Sequence, residues 1–181
     1  MVPEAPLEAT DSGLVPGGDG WFVVNARDHR WRHSEGRGAV CVFGDDPGFE
    51  QVGVNLFVLE PGVPMSMYHW EADQEDFLVL SGEALLIVEG EERPLRAWDF
   101  VHCPPNTNHV IVGAGDGPSV VLAVGARDRS VDSPDWGAYP VDEAALRHRA
   151  GVEKETSEPK EAYAHLQKRQ PTRYRDGWLP S

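Results

Sequence analysis

The sequence predicts an all-β fold, a sandwich or barrel followed by a short helical tail. Three observations carry this expectation. Short apolar stretches rich in Val, Leu and Phe recur between Trp21 and Gly125 at spacings of roughly ten residues, separated by turn formers. The 181-residue chain holds 19 Gly and 15 Pro, which suits many short strands better than a few long helices. No long helical period interrupts the strand-like stretches, which disfavours an alternation of strands and helices.

Residues 1–20 combine Gly, Pro and scattered acids without a period, and are expected to form a flexible arm. Strands are then expected at WFVVN (21–25), AVCVF (39–43), QVGVNLFVLE (51–60), MSMYHW (65–70) and DFLVL (76–80). They continue at ALLIVE (84–89), WDFVHC (98–103), HVIVG (109–113) and SVVLAVG (119–125). The breakers between them are GDDPG (44–48), EPGVP (60–64), SGE (81–83), EGEE (89–92), CPPNTN (103–108) and GAGDGP (113–118). The last of these reads as a hairpin turn rather than a phosphate loop. One domain is therefore expected over 21–127, with a tail at 128–181.

In the tail, DSPDWGAYP (132–140) is loop-like. VDEAALRHRAG (141–151) has an acid in its first turn, Arg and His in its last, and Gly151 placed to end a short helix. A second helix is expected over SEPKEAYAHLQKR, ending before Pro171, with Tyr163 and Leu166 on its apolar face. The final TRYRDGWLPS is irregular, with Tyr174 and Trp178 available to anchor it against the barrel.

Thirty Asp and Glu against sixteen Lys and Arg give a net charge of −14 and a pI near 4.8. Such a chain repels phosphate backbones and anionic lipid, so nucleic acids and membrane surfaces are poor partners. The start lacks a basic n-region and an apolar h-region, and no apolar run approaches a membrane span. Cys41 and Cys103 stand far apart with no CxxC spacing. A reducing cytoplasm is the expected location.

The densest cluster of chemistry-bearing residues is YHWEADQEDFLVLSG (68–82). Alternation along a strand puts His69 and Glu71 on one face, with Tyr68 and Trp70 on the other. Glu75 follows four residues later and opens the next strand. His109 opens another strand after a Pro/Asn turn. Imidazole and carboxylate donors together suit Fe²⁺, Mn²⁺, Ni²⁺ or Zn²⁺. Taken singly, each residue also has a plainer reading, as a structural histidine or a solvated acid.

Other candidates are weaker. His102 and Cys103 are strand neighbours that face opposite ways, so they form no nucleophilic dyad, and Cys103 reads as a small buried apolar group. His29 and His33 lie in the basic stretch ARDHRWRHSEGR, read as a solvated loop or, alternatively, as an anion contact through Arg27, Arg30, Arg32 or Arg37. His148 and His165 are expected to be exposed on the tail helices. Trp21, Trp70 and Trp98 either line the barrel mouth or pack in a core or interface. The sequence holds no Gly-x-Ser-x-Gly elbow.

From Pro61 to Gly113 the sequence resembles the cupin superfamily, small β-barrels with two signature motifs. The first motif runs Gly, five residues, His-x-His, three or four residues, Glu, six residues, Gly. Here Glu75 and Gly82 keep their spacing, and Gly62 opens the motif with one extra residue before His69. Glu71 stands where the family has its second His. The second motif runs Gly, five residues, Pro-x-Gly, two residues, His, three residues, Asn. Trp98, Pro104, Asn106, His109 and Gly113 occupy those positions, with Trp98, Asn106 and Gly113 departing from the family residue. Asn in place of Gly is mild, because Asn tolerates left-handed backbone.

The resemblance implies a jelly-roll barrel and converts the family's three-His, one-Glu site into His69, Glu71, Glu75 and His109. Two alternatives stay open: that Glu71 is not a ligand, and that the barrel keeps its fold without a metal. Nitrogen and oxygen donors should sit at about 2.0–2.2 Å from a bound ion. Occupancy should fall as pH drops below about 6, because a ligating imidazole must be neutral. The implied function is a metal-dependent enzyme acting on a small organic molecule inside the barrel, of dioxygenase or isomerase type, with epimerases and decarboxylases in the same family. The competing functions are a non-catalytic metal or small-ligand binding barrel, and a structural barrel whose tail binds a protein. A homodimer is expected, with 21–25 adding to a neighbour's sheet as N-terminal strands often do in cupins.

Overall fold

A computed structural model describes residues 1–44, 48–128, 133 and 135–180. Where the sequence predicts an arm without regular structure, the chain opens with a hairpin, β1 (Leu7–Thr10) and β2 (Gly13–Pro16). The body follows as β3 (Trp31–Ser34), β4 (Gly38–Val42), β5 (Val52–Leu59), β6 (Trp70–Glu71) and β7 (Glu75–Ser81). It continues through β8 (Glu83–Val88), β9 (Glu91–Arg96), β10 (Phe100–Cys103), β11 (His109–Ala114) and β12 (Ser119–Ala126). The tail adds β13 (Gly137–Ala138), α1 (Glu143–Arg147), α2 (Pro159–Ala162) and β14 (Gln170–Thr172).

Two antiparallel sheets face each other. The larger runs β10-β7-β12-β5-β4-β3-β14 and the smaller β11-β8-β9. The segment leading to β6 lies along β11 through bridges at Pro64–Val112 and His69–His109, which widens the smaller sheet. Among the described residues no continuous ladder joins the two sheets, so the jelly roll is a wrapped sandwich rather than a closed barrel. Phe77, Val79, Val121 and Ala123 from the large sheet pack on Ala84, Leu86 and Ile111 from the small one, and that contact is the main core. The step between sheets falls at Gly82, whose φ of 74° is left-handed and whose Cβ would meet the Pro118 carbonyl oxygen at 2.7 Å.

The tail covers two further surfaces. Tyr174 and Trp178 pack around fully buried Trp31 on the outer face of the large sheet, as their sequence positions suggest. Trp136, Tyr139, Val152 and Ala162 surround Met67, just ahead of His69.

Several expectations are corrected. WFVVN is not a strand: Trp21 makes one isolated bridge to Glu4, Val23 is 77% exposed, and Asn25 turns the chain by accepting from Arg27 and Asp28 amides. Of MSMYHW, only Trp70 enters a named strand. The basic stretch read as a solvated loop contains β3, and His29 is buried with its ring edge-on to Phe43. EGEE breaks the chain only at Glu89 and Gly90, both at positive φ as in a two-residue hairpin turn, and Glu91 and Glu92 already belong to β9. GAGDGP is no hairpin, because β11 pairs with β8 while β12 pairs with β5 and β7. Helix α1 is capped by Asp142, which accepts from Ala145 N–H at 2.8 Å, and the left-handed residue after it is Arg149 rather than Gly151. Helix α2 is a single turn. Parts of the breaker at 44–48 and of the loop at 132–140 lie outside the described residues. No described helix is long and apolar enough to cross a membrane.

Candidate metal centre

His69 and His109 face each other across an antiparallel bridge. His69 N–H donates to the His109 carbonyl at 3.2 Å, and His109 N–H returns a bond to the His69 carbonyl at 2.8 Å. This pairing sets the two rings 5.0 Å apart. Each ring is fixed from behind in the same way: His69 Nδ1 lies 2.8 Å from the Met67 carbonyl and His109 Nδ1 lies 2.9 Å from that of Thr107. A carbonyl can only accept, so Nδ1 carries the hydrogen and Nε2 is left to face the centre. Buried metal-ligating histidines use this second contact to fix their tautomer and orientation.

Glu75 begins β7 and enters from the opposite sheet. Its Oε2 lies 3.2 Å from His109 Nε2 and 3.5 Å from His69 Nε2. The large sheet makes room for it, since its cross-strand neighbour is Gly125, which has no side chain to compete for the space. His69, Glu75 and His109 offer donor atoms that all lie within 4.8 Å of one another. Glu71 approaches from the rim, with Oε1 3.5 Å from His69 Nε2 and its side chain 32% exposed. It stands outside that mutually close trio, so the four residues expected from sequence divide into three buried donors and one at the edge.

The electrostatics are those of a tight acid–imidazole cluster. For Glu75, burial raises the carboxyl, but hydrogen bonding from His109 and the positive charge of both rings outweigh burial and hold it below the usual carboxylate range. For His109, burial works against charge, but contacts with Cys103 and Glu75 outweigh it and raise the imidazole to about 9. His69 is likewise raised, with burial opposed by the hydrogen bond and charge of Glu71 and the charge of Glu75. His109 Nε2 and Glu75 Oε2 are both buried without a hydrogen-bond partner of good geometry. Two acceptors this close require a proton or a cation between them.

Two turns that deliver these residues bear out the motif reading. Asn106, at the glycine position, has a φ of 67°, and its N–H donates to the Glu71 carbonyl at 2.7 Å. That bond ties the turn before His109 to the strand carrying Glu71. Trp98, also at a glycine position, takes a φ of 75°.

Residues missed from sequence also reach the centre. Cys103 is buried in the core as expected, but its thiol also contacts the His109 ring. The signal was present, since β10 pairs with β7 and puts Cys103 opposite Glu75. Tyr139 comes from the tail, and its ring stacks on His69 with centroids 5.8 Å apart. It is placed by the short ladder of β13 on β6, which pairs Gly137 with Glu71. Burial, Tyr163 and the nearby carboxylates all push the Tyr139 phenol upward, so it stays protonated. Tyr163 adjoins it and accepts a bond from Met67 N–H at 3.0 Å. Nothing in the local sequence links Tyr139 to His69.

The remaining candidates lie elsewhere. His102 points away from Cys103 and bonds Asp76 at 2.6 Å on the outer face. His148 contacts Glu92, and His165 is exposed. Trp21 and Trp98 are exposed rather than packed in a core.

A two-sheet jelly roll with two histidines and a carboxylate converging between its sheets defines the class. Residues 55–125 match the family model of the cupin domain, in line with the resemblance read from the sequence motifs. It is similar to a putative sugar phosphate isomerase from Acidithiobacillus ferrooxidans ATCC 23270 at 29% identity, covering 53% of this chain and 66% of that one, with a TM-score of 0.48. A sugar phosphate isomerase of the cupin superfamily from Silicibacter pomeroyi DSS-3 shares 32% identity over 56% of this chain and 62% of that one, with a TM-score of 0.45. The chain thus spans just under two thirds of the length of both. The polyketide cyclase RemF from Streptomyces resistomycificus shares the fold, with 18% identity, 62% and 87% coverage and a TM-score of 0.51. No curated protein matches the chain.

Proposed function

We propose that the barrel is a metal-dependent enzyme acting on a small organic molecule, with His69, Glu75 and His109 holding one divalent transition metal and Glu71 as a fourth ligand. The observation that supports it most is the convergence of one donor atom each from His69, Glu75 and His109, all within 4.8 Å of one another. Two imidazoles and one or two carboxylates suit Fe²⁺, Mn²⁺, Ni²⁺ or Zn²⁺. A cation there would polarise a carbonyl or hydroxyl of the substrate, or activate dioxygen.

The chain's own groups divide the remaining work. The carbonyls of Met67 and Thr107 hold both imidazoles in a ligating tautomer. Tyr139 excludes water from the His69 side and offers a protonated phenol beside the centre. Glu71, at the rim, would serve instead to take and return a substrate proton if it is not engaged by the metal. That role favours isomerase-type proton transfer over dioxygenase chemistry. A homodimer in the cytoplasm completes the proposal. Its support is the exposed pair Trp98 and Phe100 beside and on β10, an edge of the large sheet.

Elemental analysis tests the centre. Purified protein should carry a divalent metal in proportion to chain, and the double variant His69→Ala/His109→Ala should carry none. Unchanged metal content in the folded double variant would refute the assignment.

A further inference from the structure

We propose that Arg37 and Arg169 form an oxyanion subsite at the gap between the two sheets, which takes the carboxylate or phosphate group of the barrel's substrate. Its role in catalysis rests on the metal-dependent reading above, whereas its affinity for an anion does not.

The room comes from β5. Side chains alternate along it, and Leu56 and Val58 are buried beneath the tail on the outer face. Asn55 and Phe57 face inward, and both are only half-buried. The inner surface is thus partly accessible at this point. Arg169 lies over it, with its guanidinium 5.6 Å from the centre of the Phe57 ring. The pairing of Gln170 in β14 with His33 in β3 fixes the backbone that delivers it.

Both guanidiniums are held by neutral groups. Arg169 Nε and one Nη donate to the Arg37 carbonyl, and the same Nη reaches the Met65 carbonyl at 3.2 Å. Arg37 lies 4.7 Å over the Tyr163 ring, and its Nη1 donates to the Gln167 carbonyl at 3.4 Å. Tyr163 packs on Tyr139, and Tyr139 packs on His69. One continuous wall therefore joins the two arginines to the candidate metal centre.

The charge arrangement is the reason to expect a ligand. The chain has 30 Asp and Glu for 16 Lys and Arg, yet among the described residues no carboxylate touches Arg37 or Arg169. Glu35 and Glu60 bear on His33 and not on Arg169. Burial and the neighbouring Arg37 charge pull Arg169 down to about 10. Two like charges in a half-buried setting repel each other, and an oxyanion between them converts that repulsion into two attractions. Arg169 Nη1 has no partner among the described residues, and a planar guanidinium is suited to two parallel bonds with a carboxylate or phosphate. Asn55 Oδ1, buried and unpaired on the same inward face as Phe57, is available to a substrate hydroxyl.

Thermal unfolding and isothermal titration with inorganic phosphate, with acetate, and with chloride at matched ionic strength test this on the full chain, before and after metal chelation. Phosphate or acetate should raise the Tm beyond chloride, and the response should survive chelation; the stronger of the two tells which headgroup the subsite takes. Arg37→Glu supplies the missing counter-charge beside Arg169, so it should keep its fold, raise the Tm in chloride and weaken anion binding about tenfold or more. Arg169→Gln should weaken it similarly. Equal shifts in chloride, or full anion response in folded Arg37→Glu, would overturn the proposal. Loss of the response on chelation would assign the anion to the metal and also overturn it. Wild-type protein that binds the anion but never carries metal would instead remove only the metal-dependent reading.

Discussion

Metal affinity should climb about a hundredfold between pH 7 and pH 9 or above, with the slope set chiefly by His109. In the metal-free cluster the contacts with Cys103 and Glu75 hold that imidazole near 9 despite its burial. At pH 7 its Nε2 therefore carries a proton that an incoming cation must displace. A gap of about two units, at about 1.4 kcal/mol each, is about 2.7 kcal/mol, or a factor near one hundred in apparent affinity. An ordinary imidazole titrating at about 6.5 would lose less than twofold at pH 7. The loss expected from sequence only below about 6 thus begins some three units higher. Glu75 adds nothing to the slope in this range, because its pKa is lowered and it stays ionised. His69 is raised in the same direction by Glu71 and Glu75 against its burial. Competition titrations with Zn²⁺ or Co²⁺ across this range read the effect directly. Calorimetry in buffers of different ionisation enthalpy should also show proton release close to one per metal at pH 7. An affinity that levels off above pH 7, with no proton released, would refute the protonated-cluster reasoning.

Two further outcomes are expected. Trp98 is 74% exposed and held at a φ of 75°, a conformation that costs a non-glycine residue about 1 kcal/mol or more, so Trp98→Gly should raise the Tm by a few degrees; a lower Tm would mean that the indole itself stabilises the turn. Light scattering at micromolar concentration should give the mass of a dimer, and Phe100→Glu on the edge strand β10 should shift it toward monomer, whereas a wild-type monomer would count against assembly through this edge.

What could be read from the sequence was what the backbone enforces locally. Gly82 and Asn106 signal their turns because left-handed φ is needed there whatever packs around them. Strands β5, β7, β8, β10, β11 and β12 announce themselves because their inward residues must fill one core. The elements that were missed lack that pressure. Strand β9, EERPLR, is an exposed edge in which Leu95 alone packs on the core, so it has no apolar period to detect. Strand β3, WRHS, reads as a charged loop because what buries Trp31 is Tyr174 and Trp178, which lie far along the chain. The candidate centre divides in the same way. Its imidazoles and Glu75 sit in motif spacing, but Tyr139 arrives through a two-residue ladder that no local pattern encodes.

That division bears on how the barrel is specialised. The donors that could hold a cation all lie within 69–109, inside the segment shared with the cupin family model. Tyr139, which borders His69, comes from the tail beyond that segment, as do Tyr163 behind it and Arg169 over Phe57. The same tail also covers the outer face of the large sheet through Trp178, so its docking is fixed by packing that is independent of the centre. A wall anchored in this way can change its side chains without disturbing either the donors or the core. On the proposed function, the choice of substrate would fall to the tail within 136–169, and exchanging tail residues should alter ligand preference while leaving metal content unchanged.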